Sequence, residues 1–316
     1  MIVWWSVAMI AGVAAAAYAS RRAVDRALDI ADRLDLSTGL VGVTIVAIGT
    51  DLPEIANSIS SSVTGHGDLN VGNATGSTLT QITLILAILA LTSASLRTDG
   101  RDDHNPVEVP IGAMTVAATL LIAVLIADGH LSRFDGAVLV AVWVAGMAIV
   151  SRWQRTSHLL QRASDAPGRL GIAGLLAWLT VVAVAATLVV QSFVRISDEI
   201  GVPELVAGTV VLALGTSLPE LVVDWTAIRR GAAALAVGDL FGSSLVDASL
   251  AIGIGPMIRP TDVSGEAVAS VLVVAVGVAA ATVIWRFRRG GSIVPSILLL
   301  VVYAACMAAI IRVGSV

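Results

Sequence analysis

The sequence predicts an all-α integral membrane protein: ten transmembrane helices forming two five-helix repeats of inverted topology. Three observations carry this expectation: the apolar composition, a segment written twice at a fixed offset, and a lopsided distribution of arginine. The 316-residue chain is 57% hydrophobic and 13% charged, with a mean hydropathy of +0.91, well outside the range of soluble domains. About 20 apolar residues cross a bilayer. Spans are expected near 2–19, 39–64, 70–95, 109–128, 134–151, 171–194, 204–228, 234–257, 266–285 and 292–311.

The first span lacks the basic leading region of a signal peptide and matches the sixth under the repeat, so it is read as a helix. The stretch 151–170 carries Arg152, Arg155, Arg162 and Arg169 with an Asp-Ala-Pro-Gly turn. It is read as a cytoplasmic linker joining a first repeat (1–150) to a second (171–316). All 19 basic residues are Arg, and 15 of them fall in the loops after spans 1, 3, 5, 7 and 9. The positive-inside rule therefore puts those loops in the cytoplasm and both termini outside, in a multi-pass protein of the cell membrane. Five spans per half invert the second half. The single Cys306 is read as core packing.

The duplicated segment carries the chemistry. VAIGTDLPE (Val46–Glu54) and VGNATGSTLTQ (Val71–Gln81) reappear as LALGTSLPE (Leu212–Glu220) and VGDLFGSSLVD (Val237–Asp247). The offset is 166 residues throughout, with 15 identities between 42–84 and 208–250. Pro53 and Pro219 each remove a backbone donor, so each helix is expected to break near mid-membrane. Backbone carbonyls freed in lipid need a partner within the protein or in a water-lined cavity, and a bound cation is such a partner. Glu54 and Glu220 follow the breaks. Two facing carboxylates repel unless a proton or cation intervenes, and carboxylates with carbonyls and hydroxyls suit Ca²⁺.

Asp51-x-x-Glu54 and Ser217-x-x-Glu220 also fit the capping-box pattern, but capping does not require ionisable Glu at mid-bilayer. Gly72, Gly76, Gly238 and Gly242 are read as small faces for helix packing. Ser77 and Ser243 are candidate ligands, with bonding back to their own helix as the alternative. Gln81 and Asp247 lie four residues on, on the same helical face as the serines.

These motif pairs resemble the paired α-repeats of the cation/calcium exchanger superfamily, closest to its prokaryotic sodium/calcium exchanger branch. The specific signature covers about 90 of the 316 residues. The resemblance implies a secondary-active antiporter exchanging Na⁺ for Ca²⁺ by alternating access. Its site would be a diamond of Glu54, Gln81, Glu220 and Asp247. Sodium ligands would fall on Ala47, Thr50, Ser77, Ala213, Thr216 and Ser243, some through backbone carbonyls. The implied partners are the transported cations and the lipid bilayer. No covalent cofactor, nucleic acid or protein partner is implied, and the chain is not read as an enzyme.

Departures from the family pattern bear on ion choice. Asp51 replaces the usual Ser, which Ser217 keeps in the second repeat; Asp51 either joins the site or is a cap tilted away from it. Gln81 replaces Asn or Asp, Thr78 and Ser244 replace Asn, and Asp239 stands where the first copy has Asn73. Extra acids open Na⁺/Mg²⁺ or H⁺/divalent exchange as alternatives, with Mg²⁺ as a second candidate cargo. Asp224 is expected to pair with Arg229 or Arg230, and Glu108 to lie at the interface. An intramembrane aspartyl protease is disfavoured because Ala236-Val237-Gly238-Asp239 lacks the first Gly of Gly-x-Gly-Asp. A cation channel would require an open pore.

Overall fold

The computed structural model describes residues 2–34, 37–93, 96, 108–154, 169–200, 215–288 and 290–313. They are almost wholly helical. In chain order the helices are α1 (Ile2–Leu34), α2 (Thr38–Thr50), α3 (Leu52–Thr64), α4 (Gly67–Thr92), α5 (Glu108–Leu125) and α6 (Arg133–Gln154). They continue as α7 (Arg169–Ile200), α8 (Leu218–Arg229), α9 (Ala233–Ile258), α10 (Gly265–Arg286) and α11 (Val294–Val313). One two-residue ribbon pairs β1 (His130–Leu131) antiparallel with β2 (Thr261–Asp262).

Among the described residues, seven helices are long and apolar enough to cross a membrane, or eight when α2 and α3 count as one bent span. The expected span at 171–194 corresponds to α7, whose apolar stretch is Gly171–Ala185. The expected span at 204–228 begins outside the described residues, as does most of the 151–170 linker.

The predicted break in the first copy is a 43° bend separating α2 from α3. Asp51 makes it, with φ −79° and ψ 9°. Ser217 precedes α8 with φ −87° and ψ 10°, the same sparsely populated bridge conformation. Each copy then passes from one helix to the next through a left-handed glycine, Gly65 at φ 82° and Gly231 at φ 76°. That conformation suits a residue without Cβ.

The chain clusters into two compact units, and each sequence half is divided among both. Unit 1 comprises residues 1–53 and 159–239; unit 2 comprises 54–158 and 240–316. In unit 1, α1 offers a stripe of Ala19, Ala23, Ala27 and Ala31, all buried. Small residues four apart lie on one face and let a neighbouring backbone approach closely. Leu175, Leu179 and Val182 of α7 and Val223 and Ala227 of α8 complete that core. Two polar contacts tie α1 to α8: Ser20 Oγ lies 2.9 Å from Thr226 Oγ1, and Arg230 at the end of α8 pairs with Asp25. A Cβ on Gly238 would meet the Gly39 carbonyl oxygen at 2.3 Å, so its close-packing role holds.

In unit 2, α4 and the second part of α9 are the most enclosed elements. Leu79, Ile82, Leu86 and Leu89 on α4 are fully buried. Cys306 is buried and close to Gly277, as core packing requires. Gly72 does not repeat the behaviour of Gly238, because a Cβ there would find nothing within 4 Å. Glu108 accepts a 2.7 Å hydrogen bond from Trp285 Nε1, and Arg288 lies over the Trp285 ring at 3.8 Å from its centroid. This knot joins the start of α5 to the end of α10. Burial lowers the Arg288 pKa from its usual value, and Glu108 opposes that shift.

Candidate cation site

Both α4 and α9 widen into a π turn where the second motif ends, over Gln81–Ile85 and over Val246–Ala251. A π turn inserts one extra residue into the helical ladder and is frequent where a side chain must be aimed. No spacing of apolar residues announces it. The nearest local signal is a hydroxyl at matched places: Thr83 bonds the Leu79 carbonyl and Ser249 the Leu245 carbonyl, a back-bond that bends helices.

These turns carry Gln81 and Asp247, both fully buried. Within unit 2, Gln81 Nε2 donates to Asp247 Oδ2 at 3.0 Å. The Ser244 hydroxyl lies 3.1 Å from Gln81 Oε1 and 2.7 Å from the Leu240 carbonyl, sharing its proton. One repeat position thus supplies an amide donor and its mate a carboxylate acceptor. Glu54 begins the unit's share of α3 at 1% exposure. Its Oε1 accepts from Ser77 Oγ at 3.3 Å, so Ser77 faces an acid rather than only its own helix. Thr78 instead bonds back to the Ala74 carbonyl at 2.8 Å. Ser243 is fully buried.

Unit 1 gathers a second set. Asp51 and Glu220 are fully buried, and Asp51 and Thr50 face the Glu220 carboxyl. Asp51 is therefore not tilted outward. Thr50 Oγ1 lies 3.1 Å from the Ala47 carbonyl and 3.4 Å from Asp239 Oδ1. The Ala47 carbonyl also accepts the Asp51 N–H at 3.1 Å. Ser217 Oγ makes no cap bond to α8 and has no hydrogen-bond partner among the described residues. The capping box therefore does not explain Ser217. Thr216 is half-buried beside it, and Ala213 lies outside the described residues.

One pairing expected from the sequence differs. Asp224 does not meet an arginine: Arg230 goes to Asp25, and Arg229 lies over the Trp225 ring at 5.3 Å. Asp224 is fully buried and faces Asp239 and Glu220 instead. Adjacency in sequence favoured the arginines, but at a helix end they point away from the buried face that carries Asp224. Comparison of the copies carries the missed signal, because Asp224 and Asp239 stand where the first copy has neutral Ser58 and Asn73.

Sodium/calcium exchanger proteins match this chain over residues 4–152 and 170–312, most of its length. The chain belongs to the sodium/calcium exchanger protein family. It is 28% identical over 269 residues to the putative antiporter CaxA of Alkalimonas amylolytica, covering 80% of each chain. It is 24% identical to the sodium/calcium exchanger MaX1 of Methanosarcina acetivorans, covering 76% of this chain and 79% of that one. Among solved structures it resembles the sodium-calcium exchanger NCX_Mj soaked with 10 mM Na⁺ and zero Ca²⁺. That likeness has a TM-score of 0.78 at 25% identity over 98% of this chain and 99% of the other. As a member of this family the protein is a membrane exchanger of cations.

Proposed function

We propose that the protein is a secondary-active antiporter that exchanges Na⁺ for Ca²⁺ across the cell membrane by alternating access. In this reading it has ten spans in two inverted repeats, with both termini outside. The observation that carries it is the buried polar core of the duplicated segment: Ser77 on Glu54, and Gln81 on Asp247, each placed by a matched break or π turn. Carboxylates this deeply buried in apolar helices are costly and are kept for ion handling. Their oxygen chemistry suits hard cations.

Glu54 and Glu220 serve both ions, so Na⁺ and Ca²⁺ compete for the same carboxylates. Ligands come from Gln81, Asp247, Asp51, Thr50, Thr216, Ser77, Ser243 and Ser217, and from the backbone at Ala47 and Ala213. Either loaded state neutralises the acids and can reorient, whereas the empty, charged state resists reorientation. That asymmetry yields exchange rather than leak. The Asp51–Glu220 approach favours a second reading, with H⁺ or Mg²⁺ taking one of the exchanged roles, because two facing acids also accept a proton.

Proteoliposomes test the proposal. Glu54→Gln and Glu220→Gln should each lower Na⁺-gradient-driven Ca²⁺ uptake by at least about a hundredfold, taking about 3–5 kcal/mol for a lost buried charge partner. Elution as a single monodisperse species would show that the variants remain folded. Robust uptake by both variants would sink the proposal.

A further inference from the structure

We propose that Asp224 and Asp239 form a second cation station, one helical turn along α8 from Glu220, that takes a divalent cation such as Ca²⁺. The station lies wholly within unit 1. Ser217, Glu220 and Asp224 follow the i, i+3, i+7 spacing of a single helix face. At about 1.5 Å per residue, Asp224 stands roughly 6 Å beyond Glu220 along that face. All three are buried, and none of their side-chain oxygens has a hydrogen-bond partner among the described residues.

Asp224 is the decisive member. It is fully buried, and both of its carboxylate oxygens are unpartnered. It is aimed at Asp239, another fully buried acid, which receives the Thr50 hydroxyl at 3.4 Å. Two carboxylates and a hydroxyl make the oxygen set of a hard divalent ion. The arginines nearest in sequence, Arg229 and Arg230, are committed to Trp225 and Asp25.

Packing alone does not account for the charges. At the matching place in unit 2, Ser58 Oγ accepts from the Gly255 N–H at 3.2 Å and lies 3.4 Å from the Ile252 carbonyl. A neutral side chain fills that position and satisfies itself. Asn73, also neutral and buried, stands at the place that Asp239 takes in the second copy. Charge at both positions of one copy is therefore an addition, and buried charge is kept where something binds it.

Equilibrium binding of radioactive Ca²⁺ to the full chain in detergent tests the station, using wild type, D224N, D239N, D224N/D239N and E54Q. The wild type should bind one Ca²⁺ per chain more than D224N/D239N. Either single substitution should weaken that component at least tenfold, and E54Q should keep it. D239N installs the residue that the first copy carries at Asn73, which guards against a folding artefact. A melting temperature of D224N/D239N without Ca²⁺ at or above wild type would fit removal of facing acids. Identical Ca²⁺ stoichiometry in wild type and D224N/D239N would overturn the station, as would loss of all Ca²⁺ binding in E54Q. Undiminished total binding in E54Q would instead break the proposed role of Glu54 and leave the station standing.

Discussion

At Asp51 the first copy of the duplicated segment turns with φ −79° and ψ 9°; at Ser217 the second turns with φ −87° and ψ 10°. The left-handed glycines and the π turns match as well. The side chains at these shared places do not. The first copy has Asp51, Ser58, Asn73 and Gln81 where the second has Ser217, Asp224, Asp239 and Asp247. Backbone geometry is thus the duplicated property, and charge is the property that has diverged. A bend, a turn and a π insertion are set by Pro, Gly and local hydroxyls, which the copies share. The charge at each place is free to change because several residue types fit the same backbone.

The contrast of Gln81 with Asp247 offers the largest expected effect. Gln81→Asp alone would set two carboxylates where an amide now donates at 3.0 Å. Like charges about 4 Å apart repel by about 4 kcal/mol at an effective dielectric near 20. Ca²⁺ exchange should fall by at least about a hundredfold. The swapped double variant Q81D/D247Q restores one donor and one acceptor and should recover most of the activity. No recovery would show that the copies are not interchangeable at this place.

A smaller effect separates the two glycines of the second motif. Gly238→Ala drives a Cβ into the Gly39 backbone, 2.3 Å away, an overpacking that costs about 1–3 kcal/mol. Gly72→Ala meets nothing within 4 Å and gains up to about 1 kcal/mol of helix propensity. Thermal unfolding in detergent should show a lower melting temperature for the first variant and no loss for the second. Equal losses would mean that the packing asymmetry is not real.

Composition and the repeat made the membrane class, the break at Asp51 and the buried acids legible in the sequence. Pro after Gly-Thr predicted a break, and α3 begins one residue after it. The π turns were not legible, since they arise from where hydroxyls bond within a helix rather than from any spacing of apolar residues. Asp224 departs from the expected arginine pairing because Asp25, some two hundred residues away, draws off Arg230. Ser58, 166 residues earlier, was the available clue: a neutral residue at the matching place says that structure alone does not demand an acid. Gln81 was legible as polar and buried, but the Ser244–Gln81–Asp247 chain depends on a contact across the repeat.

The most direct test of Na⁺ for Ca²⁺ exchange is radioactive Ca²⁺ uptake into proteoliposomes loaded with Na⁺ and diluted into Na⁺-free buffer. Parallel arms would collapse the Na⁺ gradient, impose a pH gradient, or add external Mg²⁺. Uptake should require internal Na⁺, vanish when that gradient is collapsed, and persist at uniform pH with Mg²⁺ present. Uptake that ignores Na⁺ and instead follows the pH gradient, or that Mg²⁺ abolishes, would contradict Na⁺/Ca²⁺ exchange and assign the diverged acids to a different ion pair.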